Sequence, residues 1–248
     1  MTGPLPLAVV CGATDVVTSA CVSILEESAA VVQQAFAVDG RPGLGASPDE
    51  VLEALAALEE KYGPLRSLAV VLPQGASEIA AEELDASEWR ALIDAVLTRT
   101  FVVVQAAGRL MIGHGTGAIA VVSTLDGLGG VTGRAHVCAA AAGVHGFVEA
   151  AAIEWGRHGV RINLVAAPPL VRNKAEREML LDRTPSAREV RAVDIAGAVG
   201  FALAPSASQL HGAVLTVDGG LSSGLITRWN GADLASNVLL ERGLYATR

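Results

Sequence analysis

The sequence predicts an α/β fold built on a doubly wound parallel sheet, and three observations carry that prediction. Ala118 to Ser123 is an unbroken apolar run, the pattern of a strand buried on both faces. Ala135 to His158 is a long stretch of good helix formers without proline, stopped by Gly159. Val160 to Ala166 is a second apolar run, followed by Pro168 and Pro169, which a central strand does not hold. Strand, long helix, strand in that order makes a right-handed crossover between parallel strands. At 248 residues, 51% hydrophobic and 18% charged, the chain is long and apolar enough for a single such domain with a sizeable core.

The remaining elements follow in order. Leu5 to Cys11 reads as a short buried strand, and Val16 to Ser28 as an apolar-periodic helix with Thr14 or Asp15 at its N-cap. Asp39 lies in Asp-Gly-Arg-Pro-Gly, a turn sequence. Ser47-Pro48-Asp49-Glu50 opens a helix with a cap, a first-turn proline and acids at the positive end of the dipole. Val51, Leu52, Leu55 and Leu58 are its buried stripe, and Leu68 to Leu72 is the next strand. Ala86 to about Gly113 reads as one long helix capped by Ser87. After Leu170, the polar stretch Val171 to Thr184 is either a solvated helix or a mobile cover. Asp194 to Leu203 is a last helix, and a strand runs from Gly212 toward Gly220.

Composition narrows the partners. A formal net charge of −8 disfavours nucleic acid and anionic membranes. Aromatic residues are only 4%, so alanine, valine and leucine must fill the core. Cys11, Cys21 and Cys138 are odd in number and scattered, which suits neither a disulfide framework nor a metal site. No leader is recognisable at the N-terminus and no window reads as a membrane span, so a cytoplasmic protein is expected.

The stretch from Gly117 to Leu170 resembles the short-chain dehydrogenase/reductase family. Gly143-Val-His-Gly146 and Arg161-Ile-Asn163 fix the alignment, and Val217-Asp-Gly-Gly220 resembles the family's last turn. The resemblance implies a Rossmann-like sheet over residues 1–220, with the tail 221–248 packing on its own or a partner subunit. It also implies that the domain is shortened around the second strand by roughly one helix.

Set against that family, several working positions are replaced. The catalytic serine, tyrosine and lysine positions are Thr124, Val137 and Ala141, and the asparagine tied to a relay water is Val96. In the phosphate-binding turn Gly12 is kept, whereas Val16 and Thr18 replace glycines. The family's Asn-Asn-Ala-Gly reads Leu72-Pro73-Gln74-Gly75. The resemblance therefore implies no catalytic residue, no bound cofactor and no metal on this chain, with NAD or NADP held by a partner.

Two functions are consistent with these residues. In one, the chain is a non-catalytic subunit in a heteromer such as a heterotetramer. It would stabilise, and help complete the pocket of, an active alcohol dehydrogenase subunit, as the inactive subunit of the hydroxyacyl-CoA dehydrogenase of the benzylsuccinate pathway does. Val103, Leu110, Phe147, Trp155 and Val214 are then the interface candidates, and self-association is expected too. In the other, a lyase, isomerase or cyclase without a cofactor reuses the family's cleft, with Thr124, Asp126, His136 and His114 gathered at the strand ends. His136 precedes the tyrosine position by one residue, about 100° around the helix, and does not replace the phenol.

Overall fold

β1 (Leu7–Cys11), β3 (Leu65–Val71), β4 (Gly117–Thr124) and β5 (Val160–Ala167) are the apolar runs of the sequence, and they stand side by side at the centre of a six-stranded parallel sheet. Its order is β2-β1-β3-β4-β5-β6, with β2 (Val31–Gln34) and β6 (Val214–Thr216) at the edges. The structure, a computed structural model, describes residues 7–12, 15–27, 31–34, 47–73, 78–170 and 174–223. Asp39, Gln74, Gly75 and the tail beyond Ser223 lie outside the described residues.

Helices cover both faces, as a doubly wound sheet requires. α2 (Pro48–Tyr62), α4 (Arg99–Gly113) and α5 (Ala135–Trp155) bury Leu55, Val104, Met111, Val144 and Val148 in one core with Val9, Leu68, Ile119 and Ile162. α1 (Val16–Glu27) and α7 (Ala192–Leu203) pair on the opposite face. Among the described residues, β2 is the element between α1 and α2; the expected shortening falls largely on residues 35–46, outside the described residues. That strand, Val-Val-Gln-Gln, has too little apolar length to be recognised from its pattern alone.

Most helix ends follow the chemistry of the sequence. Ser47 and Glu50 form a reciprocal capping box on α2. Gly159 ends the α5 region in the left-handed conformation, with φ 75°. Two details differ from expectation. α3 (Ala86–Ile93) is capped by the carboxylate of Asp85, which accepts both the amide and the hydroxyl of Ser87, because a carboxylate two residues earlier outcompetes the hydroxyl. The helix that then continues to Gly113 is interrupted by a π turn at Asp94–Thr98 containing Val96.

By length and composition, Ala86–Gly113 and Ala135–His158 are each apolar enough to cross a bilayer, contrary to the expectation that no window reads as a membrane span. Here their apolar faces lie against the sheet, supplying Val103, Val104, Ala107, Ala140, Val144 and Val148 to the core.

β5 carries the two polar residues of the Arg-Ile-Asn motif into the interior. Arg161 donates to the carbonyl oxygens of Ala202, Leu203 and Ala204, closing the C-terminal end of α7. Asn163 accepts from the amide of Ala213 and donates to the carbonyl of Leu210, which fixes the approach to β6.

The chain divides into two compact units, Met1–Leu170 with Arg191–Val217, and Val171–Val190 with Asp218–Arg248. In the second, α6 (Lys174–Arg183) is followed by an Arg177–Glu189 ion pair at 2.8 Å. The Asp218 carboxylate there accepts the amides of Gly220 and Ser222, and Gly219 and Gly220 take φ of 62° and 92°, which only glycine adopts without strain. The polar stretch after β5 is thus helical from Lys174 onward.

Candidate functional site

The carboxyl ends of β4 and β5 are in register, Thr124 opposite Ala167, and the chain leaves β4 through a one-turn helix at Leu125–Leu128. Thr124 caps that turn: its Oγ1 accepts the amide of Asp126 at 3.1 Å and donates to Asp126 Oδ2 at 2.5 Å. From the start of α5, Arg134 reaches the same carboxylate with two bonds of 3.1 Å, Nε to Oδ1 and Nη2 to Oδ2. Thr124 and Asp126 are both buried, so this is a desolvated hydroxyl–carboxylate–guanidinium chain rather than a surface ion pair. Sequence reasoning named Thr124 and Asp126 but not Arg134. A signal was available: a cation at a helix N-terminus is unfavourable unless an acid lies within its reach.

The neighbouring positions on α5 are apolar and buried, as the alignment implied. Val137 and Ala141 both face inward, and Val96 is buried in the π turn. Gly127 packs on this helix so closely that a Cβ there would fall 2.9 Å from the Ala141 carbonyl carbon and 2.7 Å from His145 Cε1. Among the described residues, three polar groups around this region are buried without a hydrogen-bond partner: Ser123 Oγ, His136 Nδ1 and His145 Nε2. The His136 side chain is almost fully enclosed. Burial lowers the pKa of His145, and the Glu149 carboxylate opposes part of that shift.

His114 does not join the group. It follows α4, before β4 begins, and its Nε2 lies 2.9 Å from Glu59 Oε1. Thr124 closes the other end of β4, eight residues long and so about 25 Å away along the strand. Of the interface candidates, Val103 is buried in the chain's own core and has no surface to offer a partner. Leu110, Phe147, Trp155 and Val214 keep partial exposure while packing on that core. Among the described residues, the large apolar side chains that stand exposed include Trp89, Phe101, Leu128, Val131, Ile153 and Phe201.

At the first βα turn, Asp15 caps α1, its Oδ1 accepting the amide of Thr18 at 2.8 Å. The Thr18 side chain is fully buried over Gly12: a Cβ at Gly12 would sit 2.6 Å from Thr18 Oγ1 and 2.9 Å from Val71 Cβ. Val16 stands out from the first position of the helix, 64% exposed. Cys21, one turn further on, has its thiol pushed up to about 12, by burial first and by the Asp15 carboxylate second.

Comparison with known proteins decides the family. A family model described as enoyl-(acyl carrier protein) reductase matches residues 14–222. The chain belongs to the short-chain dehydrogenase/reductase family. It is 31% identical to galactitol 2-dehydrogenase of Rhizobium johnstonii over 222 residues, 82% of this chain and 86% of that protein. It is 30% identical to gluconate 5-dehydrogenase of Gluconobacter oxydans over 186 residues, 71% of this chain and 72% of that protein. The fold superposes on a gluconate 5-dehydrogenase from Burkholderia cenocepacia in complex with NADP and tartrate, with a TM-score of 0.75 and 20% identity, covering 89% of this chain and 96% of the other.

These matches correct one expectation. The replaced serine, tyrosine, lysine and asparagine positions suggested a chain without activity of its own, but the proteins it matches are dehydrogenases and reductases, which points to an enzyme. Equating those four positions with the whole of a family member's chemistry was the error, because other polar groups stand at the same strand ends. Nor do the matches support likeness to inactive subunits in particular.

The family's cofactors are nicotinamide dinucleotides, whose diphosphate lies against bare backbone amides at the N-terminus of α1. The residues of this turn do not fit that group. A side-chain carboxylate already holds the Thr18 amide, and Thr18 and Val71 fill the space over Gly12.

Proposed function

We propose that this chain is an enzyme acting on a small substrate that bears a hydroxyl or carbonyl oxygen, bound at the carboxyl ends of β4 and β5. The buried Thr124–Asp126–Arg134 chain carries this reading, since it places a hydroxyl, oriented by a desolvated ion pair, where folds of this class bind their ligands. Because the Thr124 proton is committed to Asp126 and one lone pair to the Asp126 amide, its remaining lone pair can accept a hydrogen bond from a substrate hydroxyl. Arg134 holds the carboxylate, and the carboxylate holds the threonine rotamer. Alcohol–carbonyl interconversion is the reaction class that family membership and the sugar-alcohol and sugar-acid dehydrogenase relatives support.

A second reading is favoured by the first βα turn. Where no diphosphate docks, the same residues can still move a proton at a carbon beside a carbonyl, in a lyase, isomerase or cyclase reaction that needs no hydride carrier. Under the first reading the hydride passes to or from NAD or NADP taken up weakly by this chain itself. Association with a homologous subunit carrying an intact tyrosine and lysine, in a heteromer such as a heterotetramer, is a separate part of the proposal, that subunit using its own dinucleotide. The apolar surface left on the long helices by Phe101 and Ile153 supports association of that kind or with a second copy. A cytoplasmic location fits the three free cysteines and the use of both long apolar helices as core elements.

The deciding experiment incubates the purified chain with polyols, hydroxy acids and the matching ketones, with and without NAD(H) and NADP(H), and follows substrate conversion by chromatography. Conversion of at least one substrate is expected, falling on the order of 10²-fold in Thr124→Val. No conversion, or conversion indifferent to Thr124→Val and Asp126→Asn, overturns the reading. Conversion that does not require dinucleotide selects the second form over the first.

A further inference from the structure

We infer that the first βα turn is closed by an internal anion: the Asp15 carboxylate occupies the N-terminus of α1 that a dinucleotide diphosphate would take. Two features of the turn converge on this, a charge and a filled space. The carboxylate is bonded to the amide of Thr18, the third residue of the helix, and so already satisfies the dipole and one of its orphan donors. A diphosphate brought to the same amides meets that charge at close range, and the two anions repel.

The space is closed as firmly as the charge. A glycine at the start of such a turn serves to let backbone approach phosphate. Here the bare face of Gly12 is covered by the Thr18 side chain, which is fully buried and whose Oγ1 has no hydrogen-bond partner among the described residues, and by Val71. Leaving a hydroxyl unsatisfied costs stability, so its place against Gly12 reflects tight packing rather than a gain in hydrogen bonding. Val16 adds a branched side chain, largely in solvent, at the first position of the helix.

This inference builds on the placement of the chain in its family; it favours the proton-transfer form of the proposed reaction, and the redox form then requires a dinucleotide held more weakly than micromolar. Its test is equilibrium binding to the full-length chain, by calorimetry and by quenching of tryptophan fluorescence, with NADH, NADPH and inorganic diphosphate as separate probes. The native chain is expected to show no saturable binding of any probe at micromolar concentrations. The variant combining Asp15→Ser, Val16→Gly and Thr18→Gly, which reopens the turn, is expected to bind NADH or NADPH at least about tenfold more tightly. Asp15→Asn serves as the conservative control: its amide oxygen still caps α1, so the fold is preserved while the charge is removed. It is expected to improve diphosphate binding alone, and more so at low salt. Micromolar binding of NADH or NADPH by the native chain, or affinity unchanged across all three proteins, overturns the inference. Loss of substrate conversion in Thr124→Val, measured separately, bears on the reaction and not on this turn.

Discussion

Thr124 Oγ1 donates to Asp126 Oδ2 across 2.5 Å, while the same carboxylate is gripped from α5 by Arg134. Removing one member leaves the others buried and unpaired, so single substitutions should cost more than the pair is worth. Arg134→Met is expected to destabilise by about 3–5 kcal/mol, because it strands a buried carboxylate. The double variant with Asp126→Asn should recover a large part of that loss. Urea unfolding of the two single variants and the double variant gives the coupling energy, and additive losses would contradict a coupled chain. Thr124→Ser should retain both stability and conversion.

His145 provides a pH signature. Burial, partly opposed by Glu149, holds its folded-state pKa below the ordinary histidine value of 6.5. The unfolded chain therefore takes up a proton near 6.5 while the folded chain resists it. Stability from this group is complete above that pH and declines as pH falls through it toward the folded-state value. Unfolding midpoints measured in urea between about pH 5 and pH 8 should fall on the acid side. His145→Leu should flatten that slope, and an unchanged slope would assign it to other groups.

Arg161 is a structural cation. Its guanidinium serves three carbonyls at the end of α7, and burial lowers its pKa. Arg161→Met should cost about 2–4 kcal/mol in thermal or urea unfolding, through three carbonyls left without their donor. Arg161→Lys should recover little, since a point charge with mobile donors does not match a planar fork.

Association should run through the exposed apolar surface of the long helices. Phe101, Phe147 and Trp155 form a continuous edge-to-face chain, with ring centroids 5.3 Å and 6.4 Å apart, and Ile153 is 84% exposed beyond it. Ile153→Glu and Phe101→Glu are expected to weaken self-association at least about tenfold in sedimentation velocity. The monomer's unfolding midpoint should stay nearly unchanged. If the native chain is monomeric at all concentrations and recruits no homologous subunit, this surface has another role.

Much of the fold was legible because it depends on local chemistry. Central strands buried on both faces must be continuous apolar runs, and Ala118–Ser123 and Val160–Ala166 could be little else. Edge elements were harder: Val31–Gln34 is short and half polar, and pairing with β1 rather than its own pattern makes it a strand. The cap of α3 and the π turn were likewise missed, because each depends on which of several nearby groups wins a backbone partner.

For the site, the sequence by itself determined which side chains are absent: no phenol at Val137, no ammonium at Ala141, no glycine at Val16 or Thr18. Only the tertiary structure decided what stands in their place. It brought Arg134 to Asp126 across eight residues, laid Thr18 and Val71 over Gly12, and separated His114 from Thr124 by the length of a strand. The physical reason is that a residue's identity fixes its chemistry, but its burial and partners are set by segments distant in the chain. A missing group can therefore be read directly, whereas a working arrangement appears only once the sheet is assembled.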